Sequence, residues 1–217
     1  MHKKLLPKTK KVIQQRADSA MEAIIQSADS IFDEHDSSKL NARQLSKKSG
    51  YSIGTIYYYL NKAEDAFILM IIKRREKKFT ELATIINQFP SDKPIHELIE
   101  KIIDSSFQEY TEMNANSFFL VFRMILKFSK NPLAFDDALS TLIEPLIAAQ
   151  QKNTTNTFRV LNSNELLMLL KTCFAMIRRP FLEKNQIAGS SQHRELAIDT
   201  MVRLLGEPSF LQKTPHE

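Results

Sequence analysis

Apolar residues recur three and four positions apart along almost the entire chain, and that rhythm fits helices far better than strands. Only four glycines and eight prolines interrupt the 217 residues. Breaks are therefore scarce, and the runs between them are long enough for helices of several turns. The expectation is an all-α fold with almost no β-sheet. An apolar content of 43% supplies a real core and argues against wholesale disorder.

Charge is unevenly spread. Residues 1–78 hold 16 Lys/Arg against 9 Asp/Glu, a balance of +7, whereas the whole chain carries only +5. A basic first third on a near-neutral remainder suggests a polyanion-binding module attached to something else; ordinary charge scatter is the plainer alternative. The single cysteine, Cys173, has no partner for an internal disulfide and fits a reducing cytoplasm. The basic N-terminus lacks the apolar core of a secretory signal, and no apolar run is long enough to span a membrane.

Local signals place the elements. Residues 1–17 read as a basic arm with Lys3, Lys4, Lys8, Lys10, Lys11 and Arg16, able to follow phosphates or a minor groove, or to act as a solubilising tail. The apolar rhythm already begins within it, at Val12 and Ile13. Ser19 and Glu22 stand at capping-box spacing and predict a helix over 19–34 with Ile24, Ala28, Ile31 and Phe32 in its apolar stripe. A second helix is expected over 42–48, opened by Asn41 and closed by Gly50. A third, over 53–60, is capped by Ser52 and faces inward through Ile56 and Leu60. From Ala63 to Phe89 nothing breaks the pattern, so one helix of some 25 residues is expected. Five more should follow: from Pro94 to Met113, from Asn116 to Ser129, from Pro132 to Lys152 with a kink or break at Pro145, from Ser163 to Leu182, and from Gln192 to Leu205. The expected organisation is an arm (1–17), a helix-turn-helix domain (18–66), a larger helical body (67–206) and a tail (207–217).

The stretch 41–65 carries the most chemistry. Two short helices joined by a tight turn can leave the second free to enter a major groove. Gly54 removes a side chain where backbone must come close to a phosphate, and the helix N-terminus offers amides to an anion. Thr55 and the hydroxyls of Tyr57, Tyr58 and Tyr59 can donate to phosphate. A Tyr58 ring can lie on a thymine methyl, and Arg43 can reach guanine O6 and N7. The competing reading is a small hydrophobic bundle with tyrosines at its surface.

Residues 24–66 resemble the DNA-binding domain of the TetR family of bacterial transcriptional regulators. The resemblance rests on Ile24, Ala28, Ile31, Phe32, Leu45, Gly50, Ser52, Gly54, Thr55, Ile56, Tyr57, Tyr59 and Glu64. It implies phosphate contacts from Thr55, Tyr57 and Tyr59, base or groove contacts from Arg43, Ile53, Gly54 and Tyr58, and Ser52 within the same surface. Asp36 departs from the family pattern where Gly is usual, and Tyr51 where Val is usual. Ala63 stands in place of a lysine at the start of the fourth helix, with Lys62 one residue earlier as the substitute anchor.

By the same resemblance the remainder is an effector-binding and dimerisation body. Phe107, Tyr110, Phe118, Phe122, Arg123 and Phe174 are the candidate effector pocket, suited to a small, mainly apolar ligand, although aromatic stripes also build ordinary cores. Leu167, Leu170, Ile177, Leu196, Met201 and Leu205 are candidates for a homodimer interface, with internal core as their alternative role. Catalysis finds no support: the chain has no HExxH, CxxC, GxSxG or Gly-rich phosphate loop, its five histidines are scattered, and no metal or cofactor is expected. The expectation is a cytoplasmic, homodimeric, ligand-responsive repressor that reads a palindromic operator. The alternative is an all-α protein-interaction module whose helix-turn-helix does not bind DNA.

Overall fold

The structure, a computed structural model, describes residues 6–33, 41–112 and 132–208. They are helical almost throughout: α1 (Leu6–Asp33), α2 (Ala42–Ser49), α3 (Ile53–Tyr59), α4 (Ala63–Asn87), α5 (Ile95–Glu112), a 3-10 segment (Pro132–Leu142), α6 (Ile143–Lys152), α7 (Ser163–Leu182) and α8 (Ser191–Leu205). Among the described residues the sole trace of β structure is one antiparallel bridge between Phe158 and Gly206. The helix expected over 116–129 lies outside them. Two compact units divide within α4, between Lys73 and Arg74.

In the first unit α1, α2 and α3 pack on one another. Ile24, Ala28, Ile31, Leu45 and Ile56 are fully buried, as are Ala66 and Phe67 at the start of α4. The expected start of the first helix is corrected. α1 already runs from Leu6, more than three turns before Ser19. Ser19 caps no helix; its hydroxyl donates to the Gln15 carbonyl one turn back, an alternative open to any serine inside a helix. Lys73 of α4 pairs with Glu22 of α1 and holds that carboxyl below its ordinary value.

In the second unit α5 packs against α7 and α8, which also meet each other, while α6 and the 3-10 segment lie on α7. Ile95, Leu98, Ile99 and Ile103 from α5 share a core with Leu166, Leu170 and Ile177 from α7 and with Met201 and Val202 from α8. The single helix expected from Pro132 to Lys152 is corrected to a 3-10 segment followed by α6. The break falls at Leu142, ahead of Pro145, which thereby occupies the first turn of α6 instead of interrupting a longer helix.

One tie links positions far apart in sequence. The Ile95 amide at the start of α5 donates to Thr157 Oγ1 (2.9 Å), across 62 residues. Asn153, in the same loop, donates through Nδ2 to the Ser91 and Lys93 carbonyls (3.1 and 2.8 Å). Thr157 is buried, so its hydroxyl caps α5 where water cannot substitute. Thr157→Val keeps the shape and removes the cap, and should lower unfolding free energy by about 1–2 kcal/mol in urea titration.

Candidate nucleic-acid interface

The local geometry at the turn follows from three side chains. Asn41 is extended and its side chain accepts from the Gln44 amide (3.1 Å), starting α2. Gly50 takes φ +75°, a left-handed conformation that any other residue would adopt at a cost, and its amide closes α2 onto the Ser46 carbonyl. Ser52 then accepts from the Thr55 amide (3.1 Å) and starts α3. Inside α3, Ile56 is fully buried and Leu60, just past its end, is nearly so. The two anchor the helix by one edge.

The opposite side is open. Tyr58 is 83% exposed, Tyr57 51% and Ile53 43%, a concentration of apolar surface on a seven-residue helix. Tyr59 is half-buried, with Tyr58 edge-on to it at 5.0 Å between ring centres. Gly54 is exposed, and a Cβ built there would meet nothing nearer than Ser52 Oγ at 3.7 Å. Its φ is also not in the left-handed region. The rest of the fold therefore does not require glycine at this position. The hydroxyls of Ser52 and Thr55 lie 2.8 Å apart, and one donates to the other. One of the two protons remains available to an outside acceptor.

Arg43 stands exposed in the first turn of α2. Lys62 is exposed beside α4; its amide donates to Asp65 Oδ2 (3.0 Å), so Asp65 caps that helix. Ala63, by contrast, is buried, so the side chain next along faces inward. Ser52, Ile53, Gly54, Thr55, Tyr57, Tyr58, Tyr59, Arg43 and Lys62 thus all fall within the first unit, on or next to its three short helix ends.

In the second unit Phe107, Tyr110 and Phe174 all belong to one buried core. Phe107 and Tyr110 join Phe181 and His193 in one aromatic nest: Phe107 lies 4.7 Å from His193, and Tyr110 stacks on Phe181 at 5.2 Å. Phe174 instead meets Phe79 edge-on at 5.2 Å. Phe118, Phe122 and Arg123 lie outside the described residues. His193 and Phe181 were missed because nothing local marks them; the nest forms only when α5, α7 and α8 pack.

The histidine is buried, and the Gly189 amide donates to its Nδ1 (3.2 Å), so in the neutral ring the proton sits on Nε2. Nε2 has no hydrogen-bond partner. The backbone of Met176 favours protonation, and Pro180, four residues on, has no N–H to give the Met176 carbonyl. Burial outweighs this and lowers the imidazole's affinity for a proton below its ordinary value of 6.5. A base with a depressed folded-state pKa lends stability above the unfolded value and loses it as pH falls. Denaturation midpoints should therefore drop as pH falls below that value, and less so in His193→Gln.

Cys173 is fully buried, and burial pushes its thiol up to about 12. Native protein should resist thiol reagents at mildly alkaline pH and react promptly once unfolded.

The architecture is that of a helix-turn-helix unit followed, through one long helix, by an all-helical body. Solved structures sharing it are TetR-family transcriptional regulators, and this chain has their fold. It is similar to a TetR transcriptional regulator from Rhodococcus sp. RHA1, with TM-score 0.62 and 10% identity over 88% of this chain and 97% of that one. A TetR-family regulator from Streptomyces coelicolor gives TM-score 0.57 and 12% identity over 92% and 91% of the two chains. The fatty acid degradation regulator FadR from Bacillus halodurans gives 0.54 and 15% over 89% and 96%. The sequence itself matches no family model and no curated protein.

Proposed function

We propose that the chain is a sequence-specific DNA-binding transcriptional regulator that enters the major groove with α3. The observation that carries this reading is the outward face of α3. Three large apolar or aromatic side chains stand in water there, beside a glycine that the rest of the fold does not require. Monomeric proteins seldom leave such a patch on so short an element unless something covers it. Tyr57, Tyr59 and the Ser52–Thr55 pair supply donors for phosphate. Tyr58, Ile53 and the bare backbone of Gly54 face the bases, Arg43 reads a guanine, and Lys62 anchors a flanking phosphate.

The same reading makes the protein a homodimeric repressor of a palindromic operator. Leu170, Ile177, Met201 and Leu205 are taken up by the chain's own core, so the partner face reduces to what remains open on α7 and α8: Leu196, half-exposed Leu167, and Met168 at 63% exposure. The effector is a small, mainly apolar molecule held in the second unit near Phe107 and Tyr110. It would act by favouring one of two dimer arrangements and so changing the spacing of the DNA-binding heads. One structural neighbour is a regulator of fatty acid degradation, which accords with an apolar effector class.

The test is selection of duplexes from a randomised pool, followed by binding across a salt series. Tyr57→Ala and Thr55→Ala should weaken binding to all duplexes and flatten the salt dependence. Arg43→Ala should relax preference at one base pair by roughly 1–3 kcal/mol. Gly54→Ala is the sharpest variant. The folded chain gains up to about 1 kcal/mol from the better helix former, while the new methyl blocks backbone approach and binding falls. Selection that yields no preferred duplex would favour the protein-interaction alternative.

A further inference from the structure

The flank of α3 nearest α1 borders an open groove of about 500 Å³, lined by Gln15, Arg16, Ser19, Ala20, Tyr51 and Tyr59. Its walls come from one face of α1, where residues 15, 16, 19 and 20 fall together at helical spacing, and from the turn and the last residue of α3. The chemistry of the lining is one-sided. Arg16 brings a permanent cation, Gln15 an amide, and Tyr51 and Tyr59 two phenols, and no carboxylate is among the lining residues. Ala20 is buried, and the Ser19 hydroxyl is already turned to the Gln15 carbonyl (2.8 Å). Tyr51 and Tyr59 are half-buried, so both phenols sit on seated rings rather than on free side chains.

An open, donor-rich groove with a guanidinium suits an anion that arrives on a larger surface better than an enclosed apolar ligand. Its position says which. Ser52, Thr55 and Tyr59 succeed one another at spacings of three and four, so they share one flank of α3, and Tyr59 belongs to both that flank and the groove. We propose that the groove is a second backbone clamp, taking one DNA phosphate beside the major groove through Arg16, Tyr51 and Tyr59. This rests on the DNA-binding reading and extends the contact surface onto α1. It also gives Tyr51 a role beyond packing.

The experiment measures affinity for a duplex selected by the wild-type protein, over a series of salt concentrations. Arg16→Ala should lower affinity by roughly threefold to tenfold and make the slope of log affinity against log salt shallower by about one, the signature of one lost phosphate contact. The ratio of selected to scrambled duplex should stay unchanged, since a phosphate carries no base identity. Arg16→Lys should keep the slope, and Tyr51→Phe should lower affinity while leaving the slope alone. Circular dichroism of each variant checks the fold, and Arg16→Gln, which removes the charge but keeps a long polar side chain, should flatten the slope in the same way and carries the test should the alanine variant unfold. An unaltered slope in folded Arg16→Ala, or a changed selected-to-scrambled ratio, overturns the clamp. Failure of wild-type protein to select any duplex would instead overturn the DNA-binding reading itself.

Discussion

Gly50 holds φ at +75° and Ser52 returns the backbone to an extended conformation, so within three residues the chain leaves α2 and enters α3. Every property attributed to α3 depends on that change of direction. A residue with a Cβ at position 50 would resist the left-handed conformation, and α2 would tend to end elsewhere. The Ser52 side chain then satisfies the Thr55 amide, which fixes where the first turn of α3 begins. With that phase set, Ile56 and Leu60 fall inward and Ile53, Gly54, Tyr57 and Tyr58 fall outward. Shifting the start by one residue would rotate α3 by roughly a quarter of a turn and bring tyrosines toward the core.

This part of the molecule was legible in sequence because its determinants are local. Asn41, Gly50 and Ser52 each act on amides or carbonyls within four residues, and the structure places all three caps as read. Ser19 shows the limit of such reasoning. A serine three residues before a glutamate satisfies the capping-box pattern, yet the hydroxyl can equally donate one turn back. The continuous helical pattern from Val12 onward leaves nothing to cap. The same limit appears at Pro145, where a proline marked a break correctly but the break settled three residues upstream, so that the ring lay in a first turn.

Other features could not be read because their partners are distant. Thr157 looks like one more polar loop residue until Ile95, 62 positions earlier, presents its amide. His193 looks like one of five scattered histidines until Gly189 donates to it and Phe107 and Phe181 close around it. Apolar stripes carry a related ambiguity. Leu170, Ile177, Met201 and Leu205 share a periodicity with Leu167 and Leu196, and periodicity reports that a residue is turned from water without saying whether its own chain or another turns it. Burial separates them: the first four are consumed within the chain, while Leu196 remains 50% exposed.

The same separation sharpens the meaning of α3. A seven-residue helix is too short to persist alone in water, and neither glycine nor tyrosine is a strong helix former. Its stability must come from Ile56, Leu60 and the Ser52 cap, which leaves the outward positions almost free of structural duty. Polar side chains there would be better hydrated, and alanine in place of Gly54 would favour the helix more. The residues present are instead poor choices for stability and good ones for contact: bare backbone, an aliphatic group and phenols able to meet a base or a phosphate. A helix held so economically by one edge, with its other side composed against its own stability, has the composition expected where the surface is shaped by what it touches.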